Sequence, residues 1–213
     1  MDIDKIISLQ DLVVTGINDR DSFYPLDRDE VNGLLDQRGI SLGAFNSENE
    51  LIGYAAACYP GKSAANLGLD SGISAADLHR VAHLEVGIVH PDFRGQGWQS
   101  SLYQELIKLT LKQGGYRYIL STVAPDNYPA LCNSLRLKLY ISRILVKYGG
   151  KLRFILLRDL EETVNIDLDT VVKCQPTNIE LQQYLLAKGY CGFDIERGIE
   201  QTLISYGLKK RLT

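Results

Sequence analysis

The stretch VHPDFRGQGWQ, Val89 to Gln99, decides how this chain is read. Gly95 and Gly97 sit behind Arg94 and ahead of Trp98. The β-branched run AHLEVGIVH (Ala82–His90) reads as a central strand leading into them. After them Trp98, Leu102, Leu106 and Leu109 recur at helical spacing until Gln113, where Gly114-Gly115 ends the helix. A glycine turn between a strand and a helix presents unpaired backbone N–H groups at the positive end of the helix dipole, and lets a ligand approach the main chain closely. Arg94, Gly95, Gln96, Gly97, Trp98, Gln99 and Ser100 therefore suit a diphosphate. The Walker pattern is excluded because Trp98 follows Gly97, and the dinucleotide fingerprint because Ser100 stands where its third glycine belongs. Taken alone, the loop reads equally well as a tight turn that binds nothing.

Outward from the loop, the pattern is mixed. Upstream, YPLDRDEVNGLLDQRG predicts a short helix with Asp27 and Glu30 as a capping box and Gly39 as its stop. The run Gly39–Pro60 predicts a hairpin turning at Asn46–Asn49. A Gly/Ser/Ala-rich connection, Gly61 to Gly72, follows, and Ser74 and Asp77 suit a brief helix ending near Arg80. Downstream, YRYILSTV reads as a strand, Asp126 as the cap of a helix through about Leu137, and ISRILVKYGGKLRFILL as a hairpin turning at Gly149-Gly150. The tail predicts a strand (Val171–Cys174), a helix (Thr177–Lys188, boxed by Thr177 and Glu180), and one or two short strands to Leu208. No repeat stands out. The order implies an α/β (α+β) fold: a mixed sheet with helices packed on it.

Composition narrows the function. The chain has 213 residues and a net charge of −3, which disfavours a nucleic-acid partner because phosphate contacts need clustered Lys and Arg. No apolar run is long enough for a membrane span, and MDIDKIISLQ does not read as a signal peptide, so the expectation is a cytoplasmic protein. Cys58, Cys132, Cys174 and Cys191 are single and scattered, and His79, His83 and His90 show no ligand spacing with them. Free thiols and no metal are expected.

Two motifs together point further. Arg94-x-x-Gly97 after a strand ending at Val89, and Asn127 with Ala130 in VAPDNYPALCNS (Val123–Ser134), resemble the coenzyme A loop and the Asn-x-x-Ala segment of the GNAT superfamily of acyl-CoA-dependent N-acetyltransferases. The flanking hairpins fit as well, so the resemblance covers about residues 8–160. It implies a mostly antiparallel central sheet flanked by helices, and a GNAT-like acetyltransferase domain over residues 1–160. Residues 161–213 then form a small C-terminal strand–helix–strand extension that packs on this domain or on a partner subunit. It implies acetyl-CoA as co-substrate: Ile88 and Val89 offer backbone to the pantetheine arm, Arg94 to Ser100 hold the pyrophosphate, and Asn127 bonds the pantetheine. The implied reaction is acetyl transfer to a primary amine by direct attack, with a small-molecule acceptor in preference to a protein and with a homodimer left open.

Three positions depart from the family pattern. Gln99 replaces the usual Gly or Ala, Ser134 stands where many members carry a tyrosine general acid, and Lys138-Leu139 stands for Gly-Phe at the helix end. A carboxylate on the strand before the loop is the natural general base. Glu85 is the candidate, and strand alternation puts Glu85, Gly87 and Val89 on one face together with His83. An ordinary ion pair is the competing reading of Glu85. Without the tyrosine, a non-catalytic acyl-CoA-binding sensor of the same fold is the alternative function.

Overall fold

The computed structural model describes residues 2–16, 23–36, 38–198 and 201–210. Helices α1 (Ile3–Thr15) and α2 (Arg28–Leu35) precede the hairpin β1 (Gly39–Phe45) and β2 (Leu51–Cys58). A four-residue helix α3 (Leu67–Asp70) leads to β3 (Val81–Val89), α4 (Trp98–Gln113), β4 (Tyr118–Val123) and α5 (Tyr128–Arg136). The chain then forms β5 (Tyr140–Lys147), β6 (Lys151–Asp159), β7 (Val172–Cys174), α6 (Ile179–Ala187), β8 (Tyr190–Arg197) and β9 (Thr202–Leu208). The strands make one nine-stranded sheet in the order β1-β2-β3-β4-β6-β5-β8-β9-β7. Every pairing is antiparallel except β3 with β4.

Helices α4, α5 and α6 cover one face of the sheet, in a core that includes Leu106, Leu131, Leu139, Ile141, Phe154 and Tyr206. On the other face α1 and α2 bury Ile6, Leu9 and Val31 against Tyr54, Val86 and Ile88. The Asp27–Glu30 capping box is present in both directions, but α2 ends at Asp36, and Gly39 opens β1 instead of stopping the helix. Helix α1 lies in the charged N-terminus and starts at an Asp2 cap.

The C-terminal unit is a second copy of the strands and helix before it. Shifting by 51 residues carries β4's last residue Val123 onto Cys174, α5 onto α6, and β5's Ile141 onto Gly192 of β8. Both helices run nine residues, and both are capped by an Asn two after a Pro, Asn127 after Pro125 and Asn178 after Pro176. Each Asn side chain accepts from the backbone N–H three residues on, at 3.2 Å for Ala130 and 3.1 Å for Leu181. The expected caps Asp126 and Thr177 are each one residue early, because the Asn is the better-placed side chain in both copies. Each helix ends on a left-handed residue, Lys138 (φ 63°) and Gly189 (φ 89°), so Lys138 takes the conformation a glycine usually supplies. Each following hairpin carries a β-bulge at the same place, between Ile141 and Arg143 and between Gly192 and Asp194. The equivalent residues Ile141 and Gly192 pair with each other across the β5–β8 seam. Helix α5 packs across it onto β8, and α6 onto β5. That reciprocity is the pattern of a two-fold interface, here inside one chain.

Candidate functional site

β3 and β4 are paired only over Val81–His83 and Tyr118–Leu120. Beyond that point they part, with Ser121 Oγ donating to Leu84 O (3.0 Å) at the fork. The parting leaves a stretch of β3 edge facing a cavity of about 960 Å³. Its walls come from that edge, from the loop into α4, and from a face of α5 carrying Pro129, Cys132, Asn133 and Arg136, with Val13, Phe23 and Arg197 at its margins. The spacing of the four α5 residues is one helical stripe, so α5 lies lengthwise along the cavity.

The glycine loop answers the question its sequence poses. Gly95 and Gly97 have φ of 77° and 83°, the left-handed region where side chains are strained, and a Cβ at either would meet no atom within 4 Å. The bare backbone is therefore exposed to the cavity. Gly97 is the N-cap of α4, and as a glycine it offers no side chain to cap that helix, so the first amides of α4 open towards the cavity. Pro91–Phe93 form a 3₁₀ turn before the loop, and Arg94 Nε approaches Val89 O at 3.4 Å.

Most of the candidate binding residues converge here. Ile88, Val89, Arg94, Gly95, Gly97, Trp98, Gln99, Ser100 and Asn127 line the cavity. Gln96 is not on its wall; its Oε1 accepts from Trp98 Nε1 at 3.4 Å. Trp98 packs its apolar body on the core beneath α4. Gly87 was missed from the sequence, although its carbonyl faces the gap. Gln99 Nε2 donates to it at 2.7 Å, Asn133 Nδ2 donates to Gln99 Oε1 at 2.6 Å, and Ser100 Oγ donates to Asn133 Oδ1 at 3.1 Å. Since the carbonyls of Gly87 and Val89 are both met from the open side, alternation turns the peptide groups of Ile88 towards its β2 partner Tyr54. Ser134 is buried and off the cavity wall, where Cys132 and Asn133 stand instead.

Glu85 occupies a bulge. The β2–β3 register slips so that Val86 pairs with Ala56 and Leu84 with Ala57, leaving Glu85 as the extra residue. The bulge reverses alternation. Ala82 and Leu84 pack under α4, but Val86 and Ile88 pack under α1 and α2. Gly87 lies under Tyr103 of α4. The expectation that Glu85 shares a face with Gly87 and Val89 is thus overturned. It shares one with His83, and it is not on the wall of the cavity.

There it forms a cluster. His83 Nδ1 lies 3.7 Å from Glu85 Oε2, and Cys58 Sγ donates to the same oxygen at 3.4 Å. His83 Nε2 accepts from Leu67 N–H at 3.1 Å, which places the imidazole proton on Nδ1, towards Glu85. The Glu85 side chain is 36% exposed. Partial burial pushes its carboxyl up, but the hydrogen bonding and electrostatic pull of His83, aided by Cys58, outweigh it and hold the carboxyl below its usual value. Burial and the neighbouring Glu85 push the Cys58 thiol far up. The donor atoms of Cys58, His83 and Glu85 lie within 4.8 Å of one another, a grouping the sequence did not reveal. Within the cluster Cys58 donates to Glu85, His83 Nε2 accepts from Leu67, and His83 Nδ1 faces the Glu85 carboxylate.

A model of the Acetyltransferase (GNAT) family matches residues 8–133, more than half of the chain, and the chain belongs to that family. Among solved structures, it is similar to a putative acetyltransferase from Acinetobacter baylyi at 17% identity and a TM-score of 0.56, covering 76% of this chain and 92% of that one. It is also similar to the ribosomal-protein-S18-alanine N-acetyltransferase of Escherichia coli at 15% identity and a TM-score of 0.55, covering 76% and 90%. A phosphinothricin acetyltransferase from Sinorhizobium meliloti, in complex with acetyl-CoA, matches at 15% identity and 0.55, covering 75% and 85%. At these identities the likeness is one of fold. No curated protein sequence matches significantly. Among the described residues, no helix is long and apolar enough to cross a membrane.

Proposed function

We propose that the protein transfers the acetyl group of acetyl-CoA to a primary amine, by direct attack of the amine on the thioester. The observation that carries this reading is one juxtaposition. The exposed glycine loop and the free edge of β3 border one cavity where β3 and β4 part, and the ionised carboxylate of Glu85 stands in the bulge beside that fork, on the other face of the sheet.

The residues present fit coenzyme A. The amides from Gly95 to Ser100 and the guanidinium of Arg94 suit its diphosphate. The groups of Gly87 and Val89 suit the amides of the pantetheine arm, as a sheet edge takes a strand. For that pairing the Gln99 side chain must leave Gly87 O. Acetyl-CoA supplies an acyl group activated as a thioester. Glu85, on the far side of the sheet, takes the proton from the acceptor's ammonium, directly or through water, and His83 and Cys58 hold its carboxylate in place. Asn127 uses its side-chain oxygen to cap α5, as Asn178 does for α6, so its part in binding is to fix the start of that helix. A small amine is the acceptor this reading favours. The protein works in the cytoplasm without a metal, and any homodimer uses a surface other than the β5 edge, which β8 covers.

The test is release of free thiol from acetyl-CoA against a panel of primary amines, alongside calorimetric binding of CoA. Amine-dependent thiol release is expected. Tight CoA binding with no release for any amine would instead support a non-catalytic sensor, the reading that the missing tyrosine at Ser134 favours.

A further inference from the structure

We propose that Arg197, carried by the C-terminal copy, binds the 3′-phosphate of coenzyme A together with Arg136, so that the second copy completes the cofactor site. This deepens the reading of the cleft as a CoA site and rests on it.

The placement follows from α5. Asn127, at its start, borders the gap between β3 and β4, where the thiol end of the ligand belongs. Asn133, further along the same stripe, is bonded to Gln99 and Ser100, beside the amides that suit the diphosphate. Arg136 lies in the last turn, about 12 Å beyond the helix start at 1.5 Å per residue. Order along the helix therefore runs thiol, diphosphate, and then the ribose that bears the 3′-phosphate. Arg197, the last residue of β8, lines this same cavity because α5 packs across the seam onto β8. Among the described residues, the charged ones on the wall are Arg94, Arg136 and Arg197 against Asp126, and Asp126 already has a partner. That is a cationic wall on a chain whose net charge is −3. Arg136 and Arg197 are both exposed residues, and a guanidinium fork matches phosphate better than an ammonium.

The internal repeat supplies a control. The counterpart of Arg136 is Ala187 on α6, and the counterpart of Arg197 is Val146 on β5, which is 63% exposed. Both cations occur on the side of the seam that faces the cavity, and neither occurs at the related place on the other side. Folding does not require them, since the other half forms the same elements with an alanine and a valine.

The experiment measures calorimetric affinities of CoA and 3′-dephospho-CoA for the full chain, for Arg197→Gln and for Arg197→Lys, with thermal melting as the folding check. The unaltered protein should prefer CoA by about tenfold or more, the scale of a charge-assisted hydrogen bond. Arg197→Gln should lose most of that preference by weakening CoA while leaving dephospho-CoA unchanged, and Arg197→Lys should keep part of it. Equal weakening of both ligands, or an undiminished preference, overturns the proposal. If Arg197→Gln unfolds, Arg136→Gln is judged by the same two criteria. Failure of the unaltered protein to bind either ligand would instead sink the underlying cofactor reading, and this inference with it.

Discussion

The first copy, β4 through β6, and the second, β7 through β9, share a strand order, a helix length, a capping residue and a bulge, yet the first lays its whole helix along the cleft and the second reaches it, among the described residues, with Arg197 alone. Their differences lie on the helix faces. Where α5 offers Asn133 and Arg136 to the cavity, α6 has Tyr184, 58% exposed, and Ala187. Where α5 buries Leu131, α6 buries Gln182, whose Nε2 donates to Pro176 O at 2.8 Å and whose Oε1 accepts from Tyr206 at 2.7 Å. The second copy thus uses a satisfied polar network where the first uses a hydrocarbon contact. What both retain is what the backbone needs: a cap, a left-handed stop, a place to bend. What the first alone has depends on its neighbour. β4 has β3 beside it and parts from it, whereas β7 is the outer strand of the sheet.

The comparison breaks most severely if the second copy is removed. A chain ending at Asp159 would uncover β5's edge and the buried side chain of Ile141, against which Gly192 packs in the intact protein. We expect it to be insoluble, or to melt well over ~10 °C lower, since a few kcal/mol suffices for that at this size. A soluble, equally stable fragment in a thermal-unfolding scan would show the two copies to be independent.

The next largest effect concerns the side of the gap the second copy lacks. Glu85→Gln should lower amine-dependent turnover by about 10² to 10⁴-fold, the usual worth of a positioned base, with CoA affinity little changed. The carboxyl of Glu85 is held below its usual value, so it is ionised at neutral pH and becomes protonated only as pH falls below the ordinary glutamate range. Its acid limb in kcat should lie there, and should vanish in the variant. A limb near neutrality that survives the substitution would assign the base elsewhere.

Much of this was legible in the sequence, for identifiable reasons. Glycines at Gly95 and Gly97, the turn at Gly149-Gly150 and the box at Asp27–Glu30 are local signals, and each did what its chemistry dictates. The bulge at Glu85 was not legible, because it is set by pairing with β2 rather than by β3's own residues, and it reversed the face of every residue beyond it. Gly87 and Arg197 were missed because strand pairing decides their place: β4 leaves the β3 edge open at Gly87, and the β5–β8 seam brings Arg197 to the cavity. The repeat was hidden because its copies share backbone demands rather than side chains. The same one-residue error at both caps, Asp126 for Asn127 and Thr177 for Asn178, was its visible trace.

The caps provide an even-handed test. Asn127→Ala and Asn178→Ala should each destabilise the fold by about 1 kcal/mol, the usual cost of an N-cap, as read by denaturant unfolding. Equal losses support one structural role in both copies. A loss of CoA affinity with Asn127→Ala far beyond its loss of stability would show that the first Asn also binds the ligand directly.

The smallest expected effect lies at the helix stops. Lys138 holds φ 63° and Gly189 holds φ 89° at equivalent places, and a Cβ at Gly189 would meet only Leu208 Cδ2 at an ordinary 3.9 Å. Space is therefore available at both, and the difference is backbone strain. A left-handed conformation costs a non-glycine residue roughly 1–2 kcal/mol, offset in part by the roughly 0.5–1 kcal/mol of extra chain entropy that glycine loses on folding. Lys138→Gly should then stabilise the protein by about 0.5–1 kcal/mol, and Gly189→Lys should destabilise it by a similar amount. The double exchange should come out near zero, because the two sites lie at the helix ends of separate copies. If Lys138→Gly is destabilising, the lysine makes a contact that the glycine of the second copy does not need, and the two helix stops are alike in geometry but not in energy.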